Sequence, residues 1–203
     1  VGSEMCIRDR NSIELAVDGN LIIFGIIPSY PATGYGYIKA ENQLRSDCFI
    51  ANKVEKFIEK PDLKTAEILF KNKKYSWNSG MFVFQASTIL EELSKFTSDI
   101  VENCEECLRR SKFDLDFLRL DESSFSRCPE ISIDIAVLEK TQKAFVLPMD
   151  CGWDDIGNYE SLWNISKKDL DGNTIRGNVI AKNTKGSLIR GEEKLLVSLG
   201  NNL

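Results

Sequence analysis

Leu21 to Pro28 reads LIIFGIIP, an apolar run rich in β-branched residues that stops at the breakers Pro28, Pro31 and Gly34. Its length suits a buried strand and falls well short of the roughly 18 residues a membrane span needs. Gly80 to Phe84 (GMFVF) gives the same signal, and Tyr37 to Ala40, Val54 to Ile58 and Ala144 to Leu147 are strand-like. Helical spacing takes over between them. Pro61 opens a helix carrying Ala66, Leu69 and Phe70, with Pro in its tolerated first turn. Ile89, Leu93, Phe96, Ile100, Cys104 and Leu108 predict one long helix, and Ser132 to Lys140 a short one. Strands alternating with helices predict an α/β layered domain with a largely parallel sheet.

After Ser166 the character changes. KKDLDGNTIRGNVIAKNTKGSLIRGEEKLLVSLGNNL holds short Ile, Val and Leu pairs between Gly-Asn and Lys-Gly turns, without helical period. That predicts the start of a small β-rich module over 166–203. At the other end, residues 1–10 (VGSEMCIRDR) do not match the register of the chain from Asn11 onward and resemble translated adaptor sequence. They are expected to be a non-native leader outside the fold, with residues 11–165 forming the α/β part.

Composition narrows the function classes. The net charge of -5 and the shortness of the basic clusters, Lys71 to Lys74 and Lys167-Lys168, argue against a nucleic-acid surface. With no long apolar run and no charged-then-apolar leader, no membrane role is expected and the default compartment is the cytoplasm. The chain has six cysteines and no histidine, which excludes Ser-His and Cys-His catalysis and His-based zinc sites within it. One CxxC, Cys104 to Cys107, lies inside a helical pattern and reads as two reduced thiols on neighbouring turns. A redox role would call for a reactive thiol at a helix start.

Four stretches carry chemistry. Thr33-Gly34-Tyr35-Gly36-Tyr37-Ile38 follows a buried strand, and its glycines let backbone approach a ligand while the tyrosines wall it; a Gly-rich hairpin would look the same. Glu59 and Lys60 end a strand beside Pro61. There Lys can hold a phosphate and Glu can accept bonds from sugar hydroxyls, or the two can form an exposed ion pair. Asn78, in Trp77-Asn78-Ser79-Gly80, sits at a strand entry and offers both donors and acceptors, which also suits turn chemistry. Cys151-Gly152-Trp153-Asp154-Asp155-Ile156-Gly157-Asn158 places two carboxylates in a Gly-flanked turn. One could bind Mg²⁺ beside phosphate oxygens, and an aspartate could instead cap the helix starting near Asn158. Adjacent side chains diverge, so only one of the two would reach the metal, and the other would face solvent or cap the turn.

In this order FGIIPSYPATGYGYI, FIEKP, WNSGMF, SIDIAVLEK and GWDDIGNY, followed by LDGNTIRGNVI, resemble the sugar-nucleotidyltransferase family, most closely its mannose-1-phosphate guanylyltransferase branch. The resemblance runs from about Asn11 to Leu203. It implies the carboxyl-terminal part of a Rossmann-like, GT-A-like nucleotidyltransferase sheet, followed by the start of a β-helix-like module. It also implies transfer of GMP from GTP to mannose 1-phosphate, giving GDP-mannose and pyrophosphate with Mg²⁺ as cofactor.

Position by position, the resemblance would have Gly34 and Tyr35 line the sugar site. Glu59 would bond sugar hydroxyls, Lys60 hold the sugar's phosphate, Asn78 contact the sugar, Asp134 touch the sugar or order the site, and Asp155 bind the metal. Lys60 and Asp155 would be the catalytic residues. Ala32 stands where the family commonly has Glu, and Tyr159 where it commonly has Trp. The family's amino-terminal Gly-rich nucleotide loop and earlier metal-binding Asp have no counterpart here, so the chain alone is expected to be inactive. A uridylyl- or thymidylyltransferase acting on glucose 1-phosphate is the rival enzymatic reading, and a non-catalytic sugar-nucleotide-binding paralogue the rival of another class. Whether an isomerase domain follows, and whether the protein is a homo-oligomer, the sequence leaves open.

Overall fold

The computed structural model describes residues 2–45, 47 and 50–200, with side chains from Arg10 onward. The Cys6 side chain, Cys48 and residues 201–203 of the expected β-rich module fall outside the described residues. Two compact units make up the chain, Val1–Cys151 and Gly152–Leu203. The expected boundary after residue 165 lies within the second. No helix among the described residues is long and apolar enough to cross a membrane.

The first unit opens with helix α1 (Gly2–Val17), which includes residues expected to stand outside the fold. Ser12 and Ala16, one turn apart, are its buried residues among the described side chains. Gly19 at φ 81° turns the chain into β1 (Leu21–Ile26), where all six residues are buried. Continuous burial matches the unbroken apolar run, because β1 is covered on both faces. It pairs in parallel with β7 (Ala144–Met149) and antiparallel with β4 (Tyr75–Val83). β2 (Tyr37–Ala40) lies between β4 and β3 (Asn52–Ile58), antiparallel to both. Asn52 and Lys53 then pair with Val146 and Phe145, so the order β1-β4-β2-β3-β7 closes on itself.

The sheet is therefore mixed, not largely parallel. α2 (Leu63–Lys71) does link β3 to β4 as a crossover, and those strands run the same way. Alternation of strands and helices cannot reveal that β2 inserts between them and turns both neighbour pairs antiparallel. β4 also begins at Tyr75, earlier than its apolar core suggests, because the strand includes the polar Ser76, Asn78 and Ser79.

The predicted long helix is two, α3 (Ala86–Phe96) and α4 (Ser98–Arg109). Thr97 breaks it at φ -152°, ψ 58°, and its hydroxyl donates to the Leu93 carbonyl at 3.1 Å. A β-branched residue that satisfies backbone with its own side chain offers the chain an exit that periodicity does not record. A hairpin of β5 (Lys112–Asp114) and β6 (Phe117–Arg119) follows, then α5 (Glu122–Phe125). The helix expected from Ser132 is a π-helical turn, Asp134–Leu138. It buries Ala136, Val137 and Leu138 in succession against Leu21, Ile23, Ile38, Phe57 and Val146. Each large side chain so buried contributes about 1.5–3 kcal/mol, which anchors Asp134 at the turn's start.

Asp121 caps α5. Its Oδ2 accepts from the Ser124 hydroxyl at 2.7 Å, the Ser123 hydroxyl at 2.8 Å and the Ser124 N–H at 3.0 Å. Led by the Ser124 hydroxyl, these bonds hold its pKa at about 2, below the ordinary 3.8. A depressed carboxylate pKa adds stability above the unfolded value that is lost as pH falls toward the folded one. Amide protection of α5 is therefore expected to decline between about pH 4 and pH 2, and Asp121→Asn to remove that dependence. Hydrogen exchange across the window checks this, and pH-independent protection in the native chain would contradict it.

In the second unit, Asn158 caps α6 (Tyr159–Ile165) by accepting the Ser161 N–H at 2.8 Å. β8 (Thr174–Lys182) pairs in parallel with β9 (Leu188–Leu199), with only Asn183 to Ser187 between them. Parallel neighbours normally need a crossover of a dozen residues or more, so straight strands cannot satisfy this register. Gly177 at φ 85° and the register shift before Val179 mark where β8 bends.

Candidate functional site

The site is built where the loop before β2 meets the end of β3 and the interior of β4. Tyr37 pairs with Ile58 on one side and Trp77 on the other, which brings Gly36 beside both Glu59 and Asn78. The Gly36 carbonyl accepts the Asn78 N–H at 2.7 Å. A Cβ on Gly36 would stand 2.7 Å from Glu59 Oε2 and 2.9 Å from Phe57 Cζ. Only glycine lets the carboxylate lie against this backbone. Gly34 is different: nothing stands within 4 Å of where its Cβ would be, so its backbone is open to approach.

Lys60 has φ 41°, in the left-handed region, and precedes the buried Pro61. A non-glycine residue in that region is uncommon, and one before proline is doubly restricted. Strain of this kind, worth about 1–3 kcal/mol, tends to collect at functional sites. Lys60 Nζ lies 3.6 Å from Glu59 Oε1, with side-chain exposures of 65% and 31%. Water screens such a pair to about 0–1 kcal/mol, leaving both groups available for a ligand.

Asn78 sits inside β4, opposite Gly25, and not in an entry turn. Its Oδ1 accepts the Gly80 N–H at 3.1 Å, and its Nδ2 donates to Asp134 Oδ1 at 2.9 Å. The backbone N–H fixes which end of the amide is oxygen, so a nitrogen faces the carboxylate. Nδ2 has a second N–H, and Asp134 a second oxygen, to offer. Asp134→Ala is expected to free the amide and weaken a hydroxyl-rich ligand's binding about tenfold, with Asp134→Asn less damaging; calorimetric titration with sugar phosphates compares them.

Tyr35 packs edge-on against buried Trp77 with centroids 5.1 Å apart, and Tyr30 does the same at 4.9 Å. The Tyr30 hydroxyl donates to the Tyr35 hydroxyl at 3.4 Å. Tyr30 was not among the residues expected from sequence, because one aromatic in a Pro-flanked turn carries no period. Tyr37 is fully buried and its hydroxyl donates to the Ala32 carbonyl at 2.9 Å, with burial pushing its pKa up. Buried Ala32 thus holds the loop through its backbone.

Glu59 and Asn78 thus lie against Gly36, which follows Tyr35, with Lys60 beside Glu59 and Asp134 hydrogen-bonded to Asn78. Asp155 belongs to the second unit. It is exposed, and its carbonyl accepts the Gly157 N–H at 2.7 Å. Asp154 departs from expectation. It is half-buried, its Oδ1 is buried without a hydrogen-bond partner among the described residues, and the α6 cap is Asn158. No three His, Cys, Asp or Glu side chains gather into a metal cage among the described residues. Mg²⁺ does not require one: it takes one or two carboxylates, with phosphate oxygens and waters completing its shell. The exposed Asp155 carboxylate fits that mode.

A mixed α/β unit thus presents a carboxylate and a lysine just past the end of β3 and an oriented amide within β4. The chain belongs to the nucleotidyl transferase family, whose match covers residues 10–172. It is 44% identical over 196 residues to a mannose-1-phosphate guanylyltransferase of Escherichia coli, covering 96% of this chain and 42% of that one. The alginate biosynthesis protein AlgA of Pseudomonas putida is 43% identical over 182 residues, covering 90% and 37%. A solved structure of mannose-1-phosphate geranyltransferase from Thermus thermophilus superposes with a TM-score of 0.76 at 26% identity, covering 98% of this chain and 56% of that one. The chain spans about two fifths of the length of the curated relatives it matches.

Proposed function

We propose that this chain supplies the sugar-phosphate side of a guanylyltransferase that moves GMP from GTP to mannose 1-phosphate, releasing pyrophosphate and GDP-mannose for polysaccharide synthesis in the cytoplasm. The observation that carries the reading is the hydrogen-bonded link from Gly36 through Asn78 to Asp134, with Glu59 lodged against Gly36. It offers acceptors at Glu59 and Asp134 and a donor at Asn78, a set suited to sugar hydroxyls. Relatives named for the same reaction support the choice of sugar and nucleotide.

In this reading Glu59 accepts hydroxyl protons and so fixes the ring. Lys60, flexible and half in water, holds the sugar's phosphate and keeps one oxygen free to attack. That oxygen bonds to the α-phosphorus of GTP as the bond to pyrophosphate breaks. Gly34 and Tyr35 wall the sugar. Asp155 would hold Mg²⁺, which supplies neutralisation of charge on the phosphates. The parallel pairing of β8 and β9 favours reading the β-rich stretch from residue 166 as a β-helix-like module beside the transferase part.

The test is product formation by the gene product that contains these residues. GTP and mannose 1-phosphate with Mg²⁺ should give GDP-mannose and pyrophosphate at least tenfold faster than UTP or dTTP with glucose 1-phosphate, a margin of about 1.4 kcal/mol. Preference for the glucose pair would replace the reading with the rival transferase. Binding without turnover would favour the non-catalytic paralogue.

A further inference from the structure

Cys104 and Cys107 stand one turn apart on α4 and read in sequence as a CxxC pair, but the fold pairs them otherwise. Cys107 is buried, and its thiol donates to the Asp121 carbonyl at 3.4 Å. Cys104 meets Cys128 instead, with the two sulfurs 3.9 Å apart and both residues half-buried. The neighbours of each thiol are already tied: Arg127 Nε donates to Asn103 Oδ1 at 3.0 Å, and Asn103 Nδ2 donates to the Arg127 carbonyl at 3.5 Å. This tie holds the two backbones in register beside the sulfurs.

The chain between the thiols needs holding. It carries the β5–β6 hairpin and α5, and Phe113, Leu115 and Phe117 are 85%, 91% and 60% exposed. An isolated two-stranded hairpin is marginally stable in water, so its attachment to α4 sets its order.

We propose that Cys104 and Cys128 are a dithiol site that takes low-molecular-weight disulfides and closes to an intramolecular disulfide, stapling residues 110–127 onto α4. The Cys128 thiolate attacks one sulfur of RS–SR, expelling RS⁻, which takes up a proton. Cys104, on losing its proton, attacks the Cys128 sulfur and expels the second RS⁻. Two protein thiols lose two electrons and two protons, and the reagent leaves as two RSH. Thiolate is the attacking species. Burial, then the contact with Cys128, raises the Cys104 pKa, so closure accelerates as pH rises above neutral.

Oxidised glutathione is the probe. After incubation, alkylation of remaining thiols and digestion, mass spectrometry should find a Cys104–Cys128 cross-linked peptide that dithiothreitol removes. Cys107→Ser should retain it, and Cys104→Ser and Cys128→Ser should each lose it. The unfolding midpoint of the oxidised chain should rise by roughly 5–10 °C, as expected for a closed loop of this length. Separate glutathione adducts on Cys104 and Cys128, a Cys104–Cys107 link, or an unchanged midpoint would overturn the proposal. The mapping uses the native chain, so it decides the matter even where a serine variant does not fold.

Discussion

Gly25→Val is expected to lower the stability of the first unit by 3 kcal/mol or more, about what severe overpacking costs, and to leave much of the chain unfolded at 37 °C. Glycine inside a strand usually weakens it by roughly 0.5–1 kcal/mol relative to alanine, so propensity alone points the other way. Here β1 lies between β4 and β7. A Cβ on Gly25 would stand 2.3 Å from Ser76 Oγ and 2.4 Å from Val146 Cγ2. Ser76 and Val146 are both fully buried, and close-packed interiors give little. Even Gly25→Ala should lose about 1–3 kcal/mol, and Val146→Ala should restore part of it. Urea midpoints measure each variant; a midpoint for Gly25→Ala at or above that of the native chain would refute the packing argument. The loss would reach the site, since Gly25 is the register partner of Asn78.

That residue marks where sequence reading stops. β1, β2, β3, β7 and α2 were legible because β-branched runs, Pro breakers and helical spacing are local signals. The insertion of β2 between β3 and β4 was not, because alternation fixes connections and leaves neighbours free. The Thr97 break was hidden in a continuous apolar period, since it depends on one hydroxyl bonding back to Leu93. At the site the residue types were readable from the resemblance, and the links among them were not. The Asn78–Asp134 bond and the Cys104–Cys128 contact join residues 56 and 24 positions apart. Gly36 read as letting backbone approach a ligand, or as part of a Gly-rich hairpin; what requires glycine there is the Glu59 carboxylate pressed against it. Asp154 and Asp155 could be told to diverge, while which of them is half-buried needed the fold.

The second large effect is at Glu59. Glu59→Ala is expected to reduce affinity for mannose 1-phosphate by about 10- to 150-fold, the range for losing hydrogen bonds to a charged acceptor. Glu59→Gln, with one oxygen acceptor left, should fall between. The fold should survive, because Glu59 is partly exposed and its ion pair with Lys60 is long and screened. Calorimetric titration of the chain measures affinity and circular dichroism checks the fold. Affinity within twofold of native, with the fold intact, would remove Glu59 from the site. Gly36→Ala offers an independent check, since it displaces the same carboxylate without deleting it.

Gly36, Glu59, Lys60, Asn78 and Asp134 are proposed to form one sugar-phosphate site. Its most direct test is titration of mannose 1-phosphate into the isotopically labelled chain, followed by amide chemical shifts. Saturable shifts are expected to concentrate at those five residues and their neighbours, and to weaken sharply in Glu59→Ala. Saturable shifts centred elsewhere, or a spectrum unmoved at millimolar ligand, where about -4 kcal/mol of binding would register, would contradict it.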